Sequence, residues 1–108
     1  LNDGRFSVDV DWRSTEGNTG SAYGVFPRPN DDSGLFWFFS PDNWEMLVRV
    51  SNRCAFNNHF WVFAAAATDV GYTLTVTDTV ANQAKTYTNP LGQPAQAVTD
   101  TSAFATCP

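Results

Sequence analysis

The run Leu35-Phe36-Trp37-Phe38-Phe39 most limits what this chain can fold into. It holds four consecutive aromatics between two turn-forming sets, Asp31-Asp32-Ser33-Gly34 before it and Ser40-Pro41-Asp42-Asn43 after it. Such a stretch is too short for an ordinary helix and reads as one strand. Strand side chains alternate between faces, so Phe36 and Phe38 point one way, Trp37 and Phe39 the other. Both faces are apolar. A chain of 108 residues makes one domain, and a domain that small does not readily bury both sides of a sheet. One face of this strand therefore calls for a ligand or a partner.

The rest of the chain reads as short strands with the same period. In residues 5–13, Phe6, Val8, Val10 and Trp12 alternate with Ser7, Asp9 and Asp11, which predicts a half-buried strand with one solvated face. Residues 14–20 form a loop, and residues 22–26 a second strand ended by Pro27 and Pro29. After the aromatic strand, residues 44–51 place Trp44, Met46, Val48 and Val50 opposite Glu45, Leu47, Arg49 and Ser51. Residues 51–58 read as irregular and carry Cys54. Residues 59–66 form a strand apolar on both sides, with Phe60, Val62 and Ala64 against Trp61, Phe63 and Ala65.

Residues 71–78 give the clearest alternation: Tyr72, Leu74 and Val76 toward a core, Thr73, Thr75 and Thr77 toward solvent. Residues 85–88 pair back on them as a hairpin, 89–94 form a loop, and 98–106 a weak terminal strand or extended tail held by Cys107. Seven or eight short strands with no helical periodicity predict a single all-β domain over 1–108, an antiparallel β-sandwich.

Composition narrows the partners. The net charge is −5 and Lys85 is the only lysine, so the chain lacks the basic patches that nucleic acid or an anionic membrane requires. No apolar run approaches the length of a transmembrane helix. The sequence begins without Met or a signal peptide, as a mature or excised fragment would. The two cysteines, Cys54 and Cys107, stand about half the chain apart. With one histidine and no further thiol they cannot assemble a usual zinc site. They are expected to pair as a disulfide, which places the chain in an oxidising compartment, extracellular or periplasmic.

Candidate chemistry is sparse. His59, the single histidine, has no evident nucleophile or GxSxG elbow to serve, and an ordinary strand-edge role accounts for it. Asp9 and Asp11 share one strand face and could serve as an acid–base pair for glycoside hydrolysis or as calcium ligands; a solvated face is the simpler reading. Asp31 and Asp32, with Asp42 or Glu45, are calcium candidates, although turn chemistry alone explains them. No other cofactor is indicated. The tryptophans are more informative. Trp12, Trp37, Trp44 and Trp61 fall on strands or strand starts, and exposed indoles can act as platforms for sugar rings, with an amide such as Asn43 fixing the hydroxyls. Core packing is the competing role for each. Trp37 and Trp61 would form a platform if neighbouring strands put them on one face.

The blocks Phe6-x-Val8-x-Val10-x-Trp12, Ser33-Gly34-x-Phe36-Trp37-Phe38-Phe39, Asn43-x-Glu45, Phe60-Trp61-Val62-Phe63, Tyr72-Thr73-Leu74-Thr75-Val76-Thr77-Asp78-Thr79 and Asn89-Pro90 together resemble a β-rich accessory domain of unestablished function. That domain recurs as an appended module in secreted bacterial proteins, often near the C-terminus. The resemblance spans nearly the whole chain and implies a secreted, modular setting beside extracellular enzymes. It assigns no activity and no residue roles.

The expectation is thus a non-catalytic secreted module that binds a carbohydrate or other extracellular polymer through surface aromatics. Two alternatives stand beside it: a structural module packing on an adjacent domain or a second copy, and a small carboxylate- or metal-dependent hydrolase.

Overall fold

The computed structural model describes residues 5–14, 17–24, 33–38, 44–66 and 70–107. Nine strands and one helical turn lie within them: β1 (Phe6–Arg13), β2 (Thr19–Ser21), β3 (Tyr23–Gly24), β4 (Ser33–Trp37), β5 (Trp44–Arg53), α1 (Cys54–Asn57), β6 (His59–Ala66), β7 (Gly71–Asp78), β8 (Gln83–Asn89) and β9 (Val98–Phe104). They form two antiparallel sheets, one of four strands in the order β2-β1-β7-β8 and one of five in the order β3-β4-β5-β6-β9. The fold is the all-β sandwich that the alternation predicts.

The inner faces supply one shared core. Phe6, Val10, Tyr72, Leu74 and Val76 come from the smaller sheet, and Met46, Val48, Val50, Phe60, Val62, Ala64 and Phe104 from the larger; all are buried. Phe6 packs edge-on against Phe60 with ring centroids 4.9 Å apart, and tilted against Phe104 at 5.2 Å. These three rings join the first strand, the middle of the chain and its end.

Three segments depart from the sequence reading. The second strand, expected over 22–26, is divided between sheets. β2 pairs with β1 and β3 with β4, and the chain changes sheets at Ala22, whose amide still donates to the Val10 carbonyl at 2.7 Å. Residues 25 and 26 lie outside the described residues. Residues 51–58, expected to be irregular, continue β5 to Arg53 and then make the single turn α1. Asn58 ends that turn in the left-handed conformation at φ 61°, and its amide returns to the Cys54 carbonyl; asparagine tolerates that backbone better than most residues. The terminal strand is bulged. Phe60 faces Phe104 while Val62 faces Asp100, and Asp100 accepts the Ser102 amide at 3.1 Å inside the bulge.

Polar contacts close the two ends and one side. The Arg5 guanidinium donates to the Asp78 carboxylate from Nε at 3.0 Å and Nη2 at 2.9 Å, and to the Thr106 carbonyl at 2.7 Å. Asp78 is fully buried and also accepts the Val80 and Ala81 amides of the turn into β8. Burial alone would raise this carboxyl; the hydrogen bonds from Arg5 and from those amides outweigh it and hold it at about 2. On the open side, the Tyr87 hydroxyl of β8 donates to Asp100 of β9 at 2.8 Å. Burial, and then the neighbouring Asp100, push the Tyr87 phenol well above its usual value. The expected disulfide is present: Cys54 and Cys107 are joined, with Cα atoms 5.8 Å apart.

Two measurements check this frame. The folded-state value of Asp78 lies below its ordinary 3.8, so its ionised form stabilises the fold above about pH 4, and about 2 kcal/mol is lost as pH falls toward 2. Asp78→Asn should cost about 3 kcal/mol at neutral pH, because the half-buried Arg5 guanidinium loses its charged partner and the turn amides lose a carboxylate acceptor, and should flatten that acid limb in denaturant unfolding followed across pH. Separately, the disulfide spans 53 residues; replacing both cysteines by serine should lower the unfolding free energy by about 4 kcal/mol in the chain-entropy account.

Candidate functional site: the outer face of the five-stranded sheet

Filling the core with one face of each sheet leaves the other face of β4, β5 and β6 outside. Register fixes which side chains occupy it. Leu35 stands opposite Leu47, and Leu47 opposite Ala65; Arg49 stands opposite Phe63, Ser51 opposite Trp61, and Arg53 opposite His59. At one end of this face Tyr23 of β3 faces Trp37 of β4. Their rings stack at 4.6 Å and 24°, and Tyr23 is 59% exposed. Leu47 is exposed, and Leu35, Trp37, Trp61 and Phe63 are half-buried.

The other end is built around Trp61. Its indole Nε1 donates to the Asn57 side-chain oxygen at 2.9 Å. The Arg53 guanidinium lies 5.2 Å from the ring centroid, a cation–π distance. Phe56 meets the ring edge-on at 5.6 Å and Phe63 lies at 5.8 Å. Phe56 is 77% exposed. The turn α1 carries Phe56 and Asn57 to this position, and three contacts hold it: the disulfide at Cys54, the Cys54 amide on the Asn52 side chain, and the Asn57 side-chain amide on the Thr101 carbonyl at 2.9 Å. His59 Nδ1 lies 2.8 Å from the Asn57 carbonyl. A carbonyl can only accept, so Nδ1 donates and Nε2 is the acceptor of the neutral ring.

Trp37 and Trp61 therefore share a face but are not neighbours. Strand β5 lies between theirs, and Trp37 aligns with residue 44 while Trp61 aligns with Ser51. At the usual rise and strand spacing that diagonal is about 25 Å. Leu35, Leu47, Phe63 and the exposed Arg49 occupy the space between, giving a largely aromatic and apolar strip, with one cation in it, in place of a two-ring platform. Such a strip can stack several flat units in series, and the Arg53 guanidinium at one end carries donors beyond the Nε–H it gives to the Ser51 hydroxyl.

The remaining sequence candidates are elsewhere. Trp12 is half-buried on the inward side, packed against the core. Its indole lies directly over Gly20, where an added Cβ would come within 2.6 Å of Cζ2; only glycine leaves room for that ring. Trp44 pairs with Trp37 through the backbone, and its side chain is outside the described residues, as are Asn43, Asp31, Asp32 and Asp42. Glu45 is buried and accepts the Phe38 amide at 3.1 Å; burial raises this carboxyl, and that hydrogen bond opposes the rise. Asp9 and Asp11 are exposed on the opposite side of the molecule, beside Thr75 and Thr73, with Asp11 accepting the Ser21 hydroxyl. Among the described residues no three His, Cys, Asp or Glu side chains gather as a metal site, and no helix is long and apolar enough to cross a membrane.

Tyr23, Phe56 and Arg53 escape sequence reasoning. The alternation of residues 59–66 signals Phe63 beside Trp61, but nothing marks Phe56 as exposed, because its position depends on a one-turn helix. Comparison with protein-family models, curated proteins and solved structures finds no match for this chain.

Because Phe56 is so exposed, Phe56→Ala should change stability by less than about 0.5 kcal/mol. It should nevertheless open the Trp61 edge to solvent. The expected readout is greater acrylamide quenching of the Trp61 component, isolated by difference against Trp61→Phe.

Proposed function

We propose that the chain is a non-catalytic binding module of a secreted protein, recognising a carbohydrate or other extracellular polymer along the outer face of its five-stranded sheet. The observation that carries this reading is the strip from Tyr23–Trp37 to Trp61–Phe56, which keeps large rings at the surface although the core is already complete. Flat rings stack on sugar faces, and amide and guanidinium groups beside Trp61 suit hydroxyl acceptors. The Cys54–Cys107 bridge is compatible with an extracellular protein. A role as an appended module in a bacterial secreted protein agrees with the sequence resemblance. The module needs no cofactor for this.

A second reading has its own observation. Leu47 is 42% exposed and borders a depression of about 290 Å³ with Phe63, Ala65 and Val98. An apolar site of that kind suits an adjacent domain or another copy of the chain.

Affinity electrophoresis and tryptophan fluorescence against a panel of soluble polysaccharides test the first reading. Retardation is expected with at least one polymer, weakened about tenfold or more by Trp61→Ala and by Trp37→Ala. No retardation with any polymer, together with concentration-dependent self-association in light scattering, would replace it with the second.

A further inference from the structure

A cleft between β8, the loop of residues 90–97 and the start of β9 is built from different chemistry. It has a volume of about 380 Å³ and is lined by Tyr72, Tyr87, Pro90, Gln93, Pro94 and Gln96 among others, none of them charged. Tyr72 is buried and forms the floor, while the prolines and glutamines are exposed and form the rim. We propose that this cleft is a second binding site, for a single neutral sugar unit, separate from the aromatic strip.

Three features select that ligand class. The volume sits near the lower limit of small-molecule sites, about 300–1,000 Å³, which suits one ring and not a stretch of chain. The absence of charge among the lining residues excludes uronates and phosphates, since an ion there would lose water without gaining a counter-charge. The Gln93 and Gln96 carboxamides make no hydrogen bond to another protein group in the described structure. A carboxamide both donates and accepts, as does a sugar hydroxyl, and the Tyr87 and proline rings offer apolar surface to the C–H face of the same ring.

The rim is held in place before any ligand arrives. The buried Asn89 side-chain amide donates to the Val70, Pro90 and Gln93 carbonyls at 3.2, 3.3 and 3.0 Å. The Gln93 amide closes a turn on the Pro90 carbonyl at 3.3 Å, with Gly92 at φ +84° in the third position, where a type II turn requires glycine or asparagine. Tyr87 is fixed by its bond to Asp100. A preformed rim lowers the ordering cost of binding.

The test is an NMR titration of the ¹⁵N-labelled chain, following the side-chain amides of Gln93 and Gln96. The ligands are a panel of neutral monosaccharides and N-acetylhexosamines, a uronate, and a proline-rich peptide. At least one neutral sugar should shift both amides saturably. Gln93→Ala with Gln96→Ala should weaken that binding about tenfold or more while retaining the thermal midpoint, both residues being exposed, and Trp61→Ala should leave it unchanged. Oligosaccharides of the same sugar separate the two sources: a shift of the same resonances means a chain end enters, and a shift by the monosaccharide alone means the free sugar is the occupant. The proposal is overturned if no neutral sugar moves these amides, if the uronate or the peptide does so instead, or if the double variant binds as the parent does. Loss of polymer retardation in Trp61→Ala, with the amide shifts intact, would leave this site standing and affect only the strip.

Discussion

The Arg5–Asp78 ion pair joins the start of β1 to the end of β7 through two hydrogen bonds, and Arg5 reaches the carbonyl of Thr106 near the end of the chain. Its guanidinium also lies 4.7 Å from the Phe60 ring centroid and 5.6 Å from that of Phe6. One cation thus holds the first strand, the turn after β7, the C-terminal tail and a ring from the opposite sheet. Asp78 is fully buried, so its charge is tolerated only because Arg5 and two turn amides satisfy it. The tail it fixes carries Cys107, whose bridge to Cys54 anchors the helical turn beneath Phe56 and Asn57. The geometry around Trp61 follows from that chain of contacts.

Closing the core this way makes the two outer faces unlike each other. On the smaller sheet, Ser7, Asp9 and Asp11 line up with Thr77, Thr75 and Thr73, and the last two with Thr86 and Thr88. That face is hydroxyl and carboxylate, and water satisfies it. On the larger sheet the corresponding positions include Leu35, Trp37, Leu47, Trp61 and Phe63, with Arg49, Ser51 and Arg53 among them. The difference comes from the sequence period. β7 alternates apolar with threonine, while β6 is apolar at both phases, and a two-layer sandwich has room inside for only one phase. The surplus remains at the surface, where it is usable for recognition.

Legibility varied with the kind of interaction involved. β6 and β7 occupy the spans expected from their alternation, His59–Ala66 and Gly71–Asp78, because their side-chain period is local. The disulfide followed from there being two cysteines and no competing ligand set. The split of the second strand at Ala22 was not legible, since whether a segment pairs with β1 or β4 depends on partners far along the chain. The turn at Cys54 was hidden for a similar reason: a four-residue helix has too little periodicity to register and is held by the bridge and by Thr101. A Trp37–Trp61 platform was conditional on neighbouring strands sharing a face; the two do share a face, but the strand between them and their offset were set by register.

By itself, the sequence determined the all-β class, the core-facing phase of β1, β5 and β7, the cysteine pairing and the presence of more aromatic surface than one core can hold. Each is a property of local alternation or of residue count. Tertiary structure decided which rings became neighbours, that Trp12 lies over Gly20 while Tyr23 covers Trp37, and that a neutral cleft opens between β8 and β9. Those outcomes depend on strand order, register and the bulge in β9, where contacts between residues distant in sequence compete for the same space and only the assembled sheets settle which of them form.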